Sequence, residues 1–360
     1  MTSVRVLCAA LLAVSLLAQQ EDFPDQVFRA TVNVVVAPVT VTDEDGNYVN
    51  DLRPSDFRLL DNGKPQDIKV DVTYIPISLA VVIQANSAVE SVLPRIRKIG
   101  PLLQGTVTGE QGEVAIVCFD HRIQTLQDFT RDPDLINRAL ERIKPGSQTH
   151  RMIDGVMEGI RMLSRRPSDR RRILMLISET IDGSSENKLR EVLTMAQLHN
   201  VLIYPVVINR LVTTLTAKPQ PPRPDPYPPG ARPLPPNMPP TPESVRATVG
   251  GAANSASFIP VFVEIFKQVK GVFLPNPVEV FSRYTGGRER PFVTQKDLER
   301  AIQDIGEEVH SQYLLTYNPN NKLEGGFHEI KVEVLDRTGR PRRGVKVVTR
   351  PGYWLAAVPE

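Results

Sequence analysis

The segment AVVIQANSAVES at positions 80–91 changes abruptly from an apolar run to amide and hydroxyl side chains. Its first half is typical of a buried strand, and Gln84 and Asn86 stand where that strand is predicted to end. Ligands of open α/β sheets bind beyond the carboxyl ends of the strands. Amide groups there can hydrogen-bond a partner or offer an oxygen to a cation. The sequence therefore predicts a binding edge at this turn.

Catalysis would require a nucleophile with a base, a phosphate-binding loop or a metal cluster. The sequence contains no G-x-S-x-G, G-x-x-x-x-G-K-[ST] or H-E-x-x-H motif. Cys118 could pair with His121 as a catalytic thiol, but its apolar context, VAIVCFD, favours a buried thiol in a strand. We therefore expect a non-catalytic protein, with a hydrolytic enzyme as the alternative from another class. The five histidines stand at no metal-ligand spacing: His121, His150, His199, His310 and His328.

Four near-continuous apolar runs predict the strands that would position this turn. They read ISLAVVIQ, EVAIVCFD, RILMLISE and VLIYPVVIN, as expected for parallel strands buried on both faces. Amphipathic patterns predict helices at 150–164 and 187–199. The run IQTLQDFT follows the second strand too closely for a crossover helix, so it is predicted to be an antiparallel edge strand. The fold class is therefore a doubly wound, mostly parallel α/β sheet with one antiparallel edge.

Residues on either side of this pattern indicate further parts of the chain. The N-terminal segment carries the hairpin signals Asp45-Gly46 and Asn62-Gly63, and the C-terminal segment is again strand-like. Because the termini of such domains often lie close together, we hypothesise that the two segments form one accessory β module. A proline-rich stretch reads as an inserted, solvated loop. The predicted parts are a signal peptide at 1–18, a β module at 19–74, the α/β domain at 75–317 with the insertion at 213–256, and a β segment at 318–360.

The first 18 residues carry Arg5 and then an apolar stretch too short to span a membrane. This pattern predicts a secretory signal peptide whose removal leaves no transmembrane segment, so a secreted or periplasmic location is expected. With 43 basic against 41 acidic side chains, no strong field favours nucleic acid. A protein or cell-envelope ligand is the expected partner. The arginine-rich run at 165–172 is predicted to cap a helix and face solvent.

The chain resembles the von Willebrand factor type A domain in the secreted bacterial VWFA-related group. The resemblance rests on the order of several pieces: VTVTDEDGNYVNDLRPSDFRLLDNGKPQDI, LAVVIQANSAV, LMLISETID, YTGG, SQYLLTYNP and RPGYW. The resemblance spans nearly the whole chain after the predicted signal peptide. The resemblance implies the doubly wound fold and an adhesion or complex-forming role.

That family usually carries a metal-ion-dependent adhesion site with an Asp-x-Ser-x-Ser turn, a Thr from a second loop and an Asp from a third. In this sequence Gln84, Asn86 and Ala88 occupy the three turn positions. For the Thr of the second loop, the spacing back from Asp154 favours His150, whereas the residue type favours Thr149. Replacing a carboxylate by an amide removes a charge on which cation affinity depends. The resemblance therefore implies a degenerate site without metal or other cofactor.

The third loop of this degenerate site offers Glu179 in place of the Asp, followed by Asp182. Two interpretations stay open at this point. The turn can serve a metal-independent binding module through hydrogen bonds. Alternatively, Glu179, Asp182 and Thr149 gather with waters at a weak, non-standard Mg²⁺ site, and the protein is a metal-dependent adhesin.

Overall fold

A computed structural model describes residues 34–71, 75–209, 213, 276–321, 324 and 326–355. The predicted signal peptide lies outside these residues, as does the proline-rich insertion apart from Thr213. A central sheet of six strands has the order β10-β9-β8-β5-β6-β7. Its strands are β5 (Ile77–Gln84), β6 (Glu113–Phe119), β7 (Ile123–Thr130), β8 (Arg171–Ser178), β9 (Val201–Ile208) and β10 (Arg290–Phe292).

The pairing of these strands confirms the predicted doubly wound sheet with one antiparallel edge. Strand β5 lies parallel to β6 and β8, where Val81 is opposite Ile116 on one side and Met175 on the other. Strand β7 pairs antiparallel with β6, joined to it by a short turn. Every residue of β5, β6 and β9 is buried. The apolar runs are thus explained by helices covering both faces of the sheet.

The helices divide between the two faces of the central sheet. They are α1 (Leu93–Ile96), α2 (Gly100–Leu102), α3 (Pro133–Glu141), α4 (Met152–Ser164), α5 (Leu189–Leu198), α6 (Pro277–Thr285) and α7 (Gln295–Ser311). Ile136 of α3 and Leu298 of α7 belong to one core cluster, whereas Val156 of α4, Val192 of α5 and Phe281 of α6 belong to the other. The apolar stripes predicted for α4 and α5 are buried, and so is the apolar face of α7. None of the helices in the described residues is long and apolar enough to cross a membrane.

The arginine-rich run between α4 and β8 differs in part from the prediction that it faces solvent. Arg165 is exposed, but Arg166 donates to both carboxylate oxygens of Glu113 at 2.7 and 2.8 Å. Arg170 lies 3.2 Å from the same carboxylate, and Arg171 is buried. The reason is that Glu113 is buried at the amino end of β6, where a carboxylate must be paired with cations.

Two further sheets contain strands from both ends of the chain, in the orders β13-β1-β11-β4 and β14-β12-β2-β3. Strand β1 pairs antiparallel with both β11 and β13, and β12 pairs with β2 and β14. The strands are β1 (Val35–Asp43), β2 (Phe57–Asp61), β3 (Lys64–Pro65), β4 (Ile68–Asp71), β11 (Tyr313–Tyr317), β12 (Gly326–Val334), β13 (Val345–Thr349) and β14 (Gly352–Leu355).

These two sheets share one apolar core, which includes Ala37, Leu59, Leu315 and Val332. Strand β11, which the sequence boundaries place at the end of the α/β domain, is a central strand of this assembly. The two predicted hairpin turns are present, because Gly46 and Gly63 have φ of 88° and 77° and Asn62 has φ of 48°. Positive φ at these positions is what such tight turns require.

Candidate functional site

The polar turn after β5 meets the loop after β8 at the carboxyl edge of the central sheet. Gln84, the last residue of β5, is fully buried. Its amide nitrogen donates to Glu179 Oε2 at 3.1 Å and to Asn86 Oδ1 at 2.9 Å. Its amide oxygen accepts from the backbone N–H of Glu179 at 2.8 Å. A single glutamine therefore makes two hydrogen bonds to the neighbouring loop and one within its own turn.

Asn86 extends this network to the loop that precedes α4. Its amide nitrogen donates to the carbonyl of Gln148 at 2.9 Å and lies 3.3 Å from His150 Nδ1. His150 Nε2 lies 2.7 Å from the carbonyl of Ile181. This pattern fits the imidazole tautomer with its proton on Nε2, which donates to Ile181 while Nδ1 accepts from Asn86. Three loops are thus held together by uncharged groups.

Glu179 is the one carboxylate in this network, and it is buried. Its Oε2 accepts from Gln84, and its Oε1 accepts from the hydroxyl of Thr213 at 2.7 Å. Thr213 is itself buried. Sequence reasoning missed Thr213, because it stands at the start of the predicted insertion and belongs to no recognisable motif. The contact places Thr213, five residues after the end of β9, at this edge of the sheet.

The other predicted site residues do not join this network. Ala88 and Thr149 are exposed. Asp182 accepts instead from the backbone N–H of Ile153, in the first turn of α4, at 3.1 Å and from the hydroxyl of Ser185 at 2.6 Å. A carboxylate in that place stabilises the positive end of the helix. The structure thus brings together Gln84, Asn86, His150 and Glu179, whereas Asp182 caps a helix.

The side-chain oxygens of this network are the atoms that could ligate a divalent cation. There are four, one each from Gln84 and Asn86 and two from Glu179. All four already accept hydrogen bonds, from Gln84, the Glu179 backbone and Thr213. Only the two oxygens of Glu179 carry charge. Among the described residues, no group of three or more His, Cys, Asp or Glu side chains is placed to hold a metal ion. The arrangement is a self-satisfied hydrogen-bond network with one negative charge.

Asp154 fixes the loop that carries Glu179 against helix α4. Its carboxylate accepts from the backbone N–H groups of Glu186 and Asn187 at 3.0 and 2.8 Å, and from Arg151 Nε at 2.6 Å. Burial works against ionisation, but the hydrogen bonds from Asn187, Glu186 and Arg151 outweigh it and hold the pKa of Asp154 below its usual range. The folded state therefore favours the ionised carboxylate.

We expect Asp154→Asn to destabilise the folded state by about 1–3 kcal/mol at pH 7, because an amide nitrogen cannot accept from these N–H groups. The lowered pKa means that this stabilisation is present above the unfolded pKa of about 4 and is lost as the pH falls below it. Urea unfolding of both proteins at pH 7 and near pH 3.5 measures the difference. Asp169→Asn, at an exposed position, is the matched control. If the loss of unfolding free energy in Asp154→Asn is as large near pH 3.5 as at pH 7, the ionised carboxylate does not provide this stability.

Asp120, directly after β6, anchors the loop before α4, which carries His150 of the network. Its oxygens accept from the backbone N–H groups of Arg122 at 2.7 Å and Ser147 at 3.1 Å. Gly146 approaches so closely that a Cβ there would lie 2.0 Å from Asp120 Oδ2. Burial raises the pKa of Asp120, but the two backbone N–H groups and the nearby His121 and Arg122 lower it more, so it stays ionised.

Comparison with known proteins gives structural likeness only. No family model and no curated protein matches the sequence. The chain is similar to the conserved hypothetical protein BatB from Bacteroides thetaiotaomicron, at 13% identity over 37% of this chain and 66% of that one, with a TM-score of 0.31. It is also similar to the vWF domain of the type V pili tip protein Mfa5 from Porphyromonas gingivalis, at 19% identity over 31% and 40% of the two chains, with a TM-score of 0.27.

A third similar structure is proximal thread matrix protein 1 from the mussel byssus, with a zinc-occupied MIDAS motif. It is 13% identical over 41% of each chain, with a TM-score of 0.34. The chain spans less than two thirds of the length of these three proteins. The strand order and pairing of this chain by themselves define its doubly wound sheet.

Proposed function

We propose that this chain is a non-catalytic protein-binding module of the von Willebrand factor type A kind that needs no metal. In this proposal the partner binds at the carboxyl edge of the central sheet, where the loops after β5 and β8 meet the loop before α4. The observation that supports it is the closed network of Gln84, Asn86, His150 and Glu179. That network makes the edge a rigid surface without an open coordination position.

The chemistry of these groups argues against a resident divalent cation. Mg²⁺ requires near-octahedral oxygen ligands and gives up its water reluctantly, so its affinity depends on carboxylate charge. Here Gln84 and Asn86 contribute neutral amides, and Ala88 contributes no side-chain oxygen. A cation would also have to displace hydrogen bonds that each stabilise the fold by about 0.5–1.5 kcal/mol. The residues present do not fit the metal that the resemblance would otherwise imply.

A location outside the cytoplasm is also part of the proposal, and it depends on the signal-like segment at 1–18. N-terminal sequencing of the exported protein checks it, with a start near Gln19 expected. An intact Met1 on the exported form would contradict it.

Metal independence is tested by calorimetry and thermal melting of the whole chain. We expect no heat of binding from Mg²⁺ or Mn²⁺ and no change in melting temperature with chelator, because a ligand that does not bind the folded state cannot shift its equilibrium. Tight binding of either ion would overturn metal independence. The metal-dependent adhesin that uses Glu179, Thr149 and Asp182 would then become the leading function.

The binding role is tested by cross-linking partners from a cell-envelope extract. Thr149 is exposed on the loop that meets the network, so Thr149→Trp is expected to block a partner at this edge by steric bulk. The matched control is Ser168→Trp, which places the same side chain at an exposed position near the amino end of β8. Equal capture by both variants would show that the partner binds elsewhere.

A further inference from the structure

A cavity of about 330 Å³ opens beside the polar turn, toward the antiparallel edge of the central sheet. Its walls include Ala85 directly after β5, Cys118 on β6, Leu126 on β7 and the backbone of Gly146. The backbone N–H of Gly146 donates to the carbonyl of Ala85 at 2.7 Å. The cavity is therefore continuous with the loops that form the proposed binding edge. Its volume is at the lower end of the range for ligand sites in proteins, about 300–1,000 Å³.

Three cationic side chains line this cavity, and they come from two places in the chain. Arg122 lies in the turn between β6 and β7, Arg142 follows the end of α3, and Lys144 lies in the loop beyond it. One nitrogen of Arg142 donates to the carbonyl of Leu126, which holds its stem against the edge strand. Asp120 is the carboxylate among the lining residues. Three positive groups against one negative group leave an excess of two positive charges.

The charge of Asp120 is already engaged and does not cancel this excess. Its oxygens accept from two backbone N–H groups, and they lie 3.1 Å from His121 Nδ1 and 3.7 Å from Arg122 Nη2. Within the described part of the chain, these two contacts are the ion pairs at this cavity. Arg142 and Lys144 therefore present their charge to whatever enters. Guanidinium and ammonium groups in such a place bind oxyanions by charge-assisted hydrogen bonds.

The rest of the wall combines the polar side chain of Gln124 with apolar side chains, which suit more than a bare inorganic anion. Leu126 and Pro145 line the cavity together with Cys118. Burial raises the pKa of Cys118 to about 11, so its thiol is neutral and adds apolar surface. A ligand that suits both kinds of wall has an anionic head and a short apolar stem. The side chains of Asp and Glu have that form.

We propose that this cavity binds a carboxylate side chain from an acidic segment of the protein partner. The inference rests on the proposed binding function and names the chemistry of its partner. Arg122, Arg142 and Lys144 then provide the positive charge that a metal ion supplies in an adhesion site of the standard kind. A carboxylate side chain is favoured over bare phosphate because its methylene stem can lie against Leu126 and Pro145.

Binding is measured by fluorescence anisotropy with three probes at low ionic strength. These are a labelled, capped tetraglutamate peptide, its tetraglutamine counterpart, and inorganic phosphate as a competitor. We expect the whole chain to bind tetraglutamate, to ignore tetraglutamine and to lose affinity as salt is added. The variant Arg122→Gln/Lys144→Gln is expected to weaken tetraglutamate binding by roughly tenfold or more, since it removes two of three cations.

The matched control is Lys69→Gln/Arg343→Gln, which removes the same charges at exposed positions in the segments that form the two accessory sheets. Unchanged melting temperatures establish that both double variants fold. A second readout places the ligand: tetraglutamate should raise the melting temperature of the whole chain and leave that of Arg122→Gln/Lys144→Gln unchanged. Tetraglutamine should change neither.

Three results would overturn the proposal: no binding of tetraglutamate, equal weakening by the control variant, or displacement of the peptide by phosphate at equal concentration. Failure of this inference can be told apart from failure of the proposed function. If Thr149→Trp blocks partner capture but Arg122→Gln/Lys144→Gln does not, the edge binds its partner without this cavity. If neither affects capture, the binding edge itself is wrong.

Discussion

The Asp61→Ala variant is expected to lose roughly 3–5 kcal/mol of unfolding free energy, because it removes the acceptor at the centre of a buried polar cluster. Asp61 ends strand β2 and is fully buried. Its Oδ2 accepts from the hydroxyls of Tyr317 at 2.9 Å and Tyr353 at 2.7 Å. Its Oδ1 lies 2.7 Å from His328 Nδ1 and accepts from Asn321 Nδ2 at 3.0 Å.

This cluster joins the N-terminal strands to the C-terminal ones, since all four partners of Asp61 come from the last fifty residues of the chain. Burial raises the pKa of Tyr317 and of Tyr353, so both remain neutral donors. Truncating Asp61 leaves the buried donors of Tyr317, Tyr353 and His328 without this acceptor, whereas Asn321 keeps its bonds to the carbonyl of Asp61 and to Glu324. A buried donor without an acceptor costs about 1–3 kcal/mol unless water enters. The cluster therefore supports the hypothesis that both ends of the chain form one accessory β module.

The variant is tested by urea unfolding followed through Trp354, the one tryptophan of the chain, which lies on β14 beside this cluster. Asp67→Ala is the matched control, because Asp67 is exposed on the same segment and surface changes of this kind shift stability by less than about 0.5 kcal/mol. Asp61→Asn should fall between the two, since it keeps one acceptor oxygen. A loss below about 1 kcal/mol for Asp61→Ala would show that this cluster does not tie the two ends together.

Much of the fold was predictable because it depends on apolar periodicity. Runs such as ISLAVVIQ are buried at every position in the structure, and the short spacing before IQTLQDFT correctly indicated the antiparallel edge. Apolar burial is a property of each segment, so it is visible in the sequence alone. The hairpin at Asn62-Gly63 was predictable for the same reason, since its cause is the local backbone conformation.

The polar contacts were far less predictable, since each depends on partners distant in sequence. Nothing near Thr213 indicates that its hydroxyl binds Glu179, 34 residues earlier. Asp182 has a carboxylate that could ligate a cation, yet it stabilises the start of α4. Arg171 looked like a surface residue, yet its guanidinium donates to the carbonyl of Val309 and to Gln312. Residue types indicate what a side chain can bind, whereas the topology decides what it meets.

The Gln84→Glu variant is expected to be destabilised by roughly 2–4 kcal/mol at pH 8, because it sets a second carboxylate against that of Glu179. The amide nitrogen that it replaces lies 3.1 Å from Glu179 Oε2 and 2.9 Å from Asn86 Oδ1. An oxygen at that place meets two acceptors and donates to neither unless it is protonated. Two carboxylates that share a buried site cannot both ionise easily, so one of them holds a raised pKa.

A raised pKa in the folded state fixes the direction of the pH dependence. The stability of the variant is fully present below the unfolded glutamate pKa of about 4.3 and is lost as the pH rises through the higher folded value. The deficit relative to wild type should therefore be small near pH 5 and largest near pH 8. Gln84→Met is the matched control, since it loses the same hydrogen bonds without adding charge, and its deficit should change much less between pH 5 and pH 8 than that of Gln84→Glu.

The same variant distinguishes a binding edge without metal from a weak metal site. The variant places two carboxylates, those of position 84 and of Glu179, beside the oxygen of Asn86. The second negative charge is what the wild-type site lacks for binding a divalent cation. At about 100 times its dissociation constant a divalent cation would restore about 2.7 kcal/mol. We expect Mg²⁺ or Mn²⁺ to raise the melting temperature of Gln84→Glu at pH 8 and to leave wild type and Gln84→Met unchanged. An equal shift in wild type would mean that the amides already suffice as ligands, and a deficit independent of pH would mean that Gln84 and Glu179 do not touch.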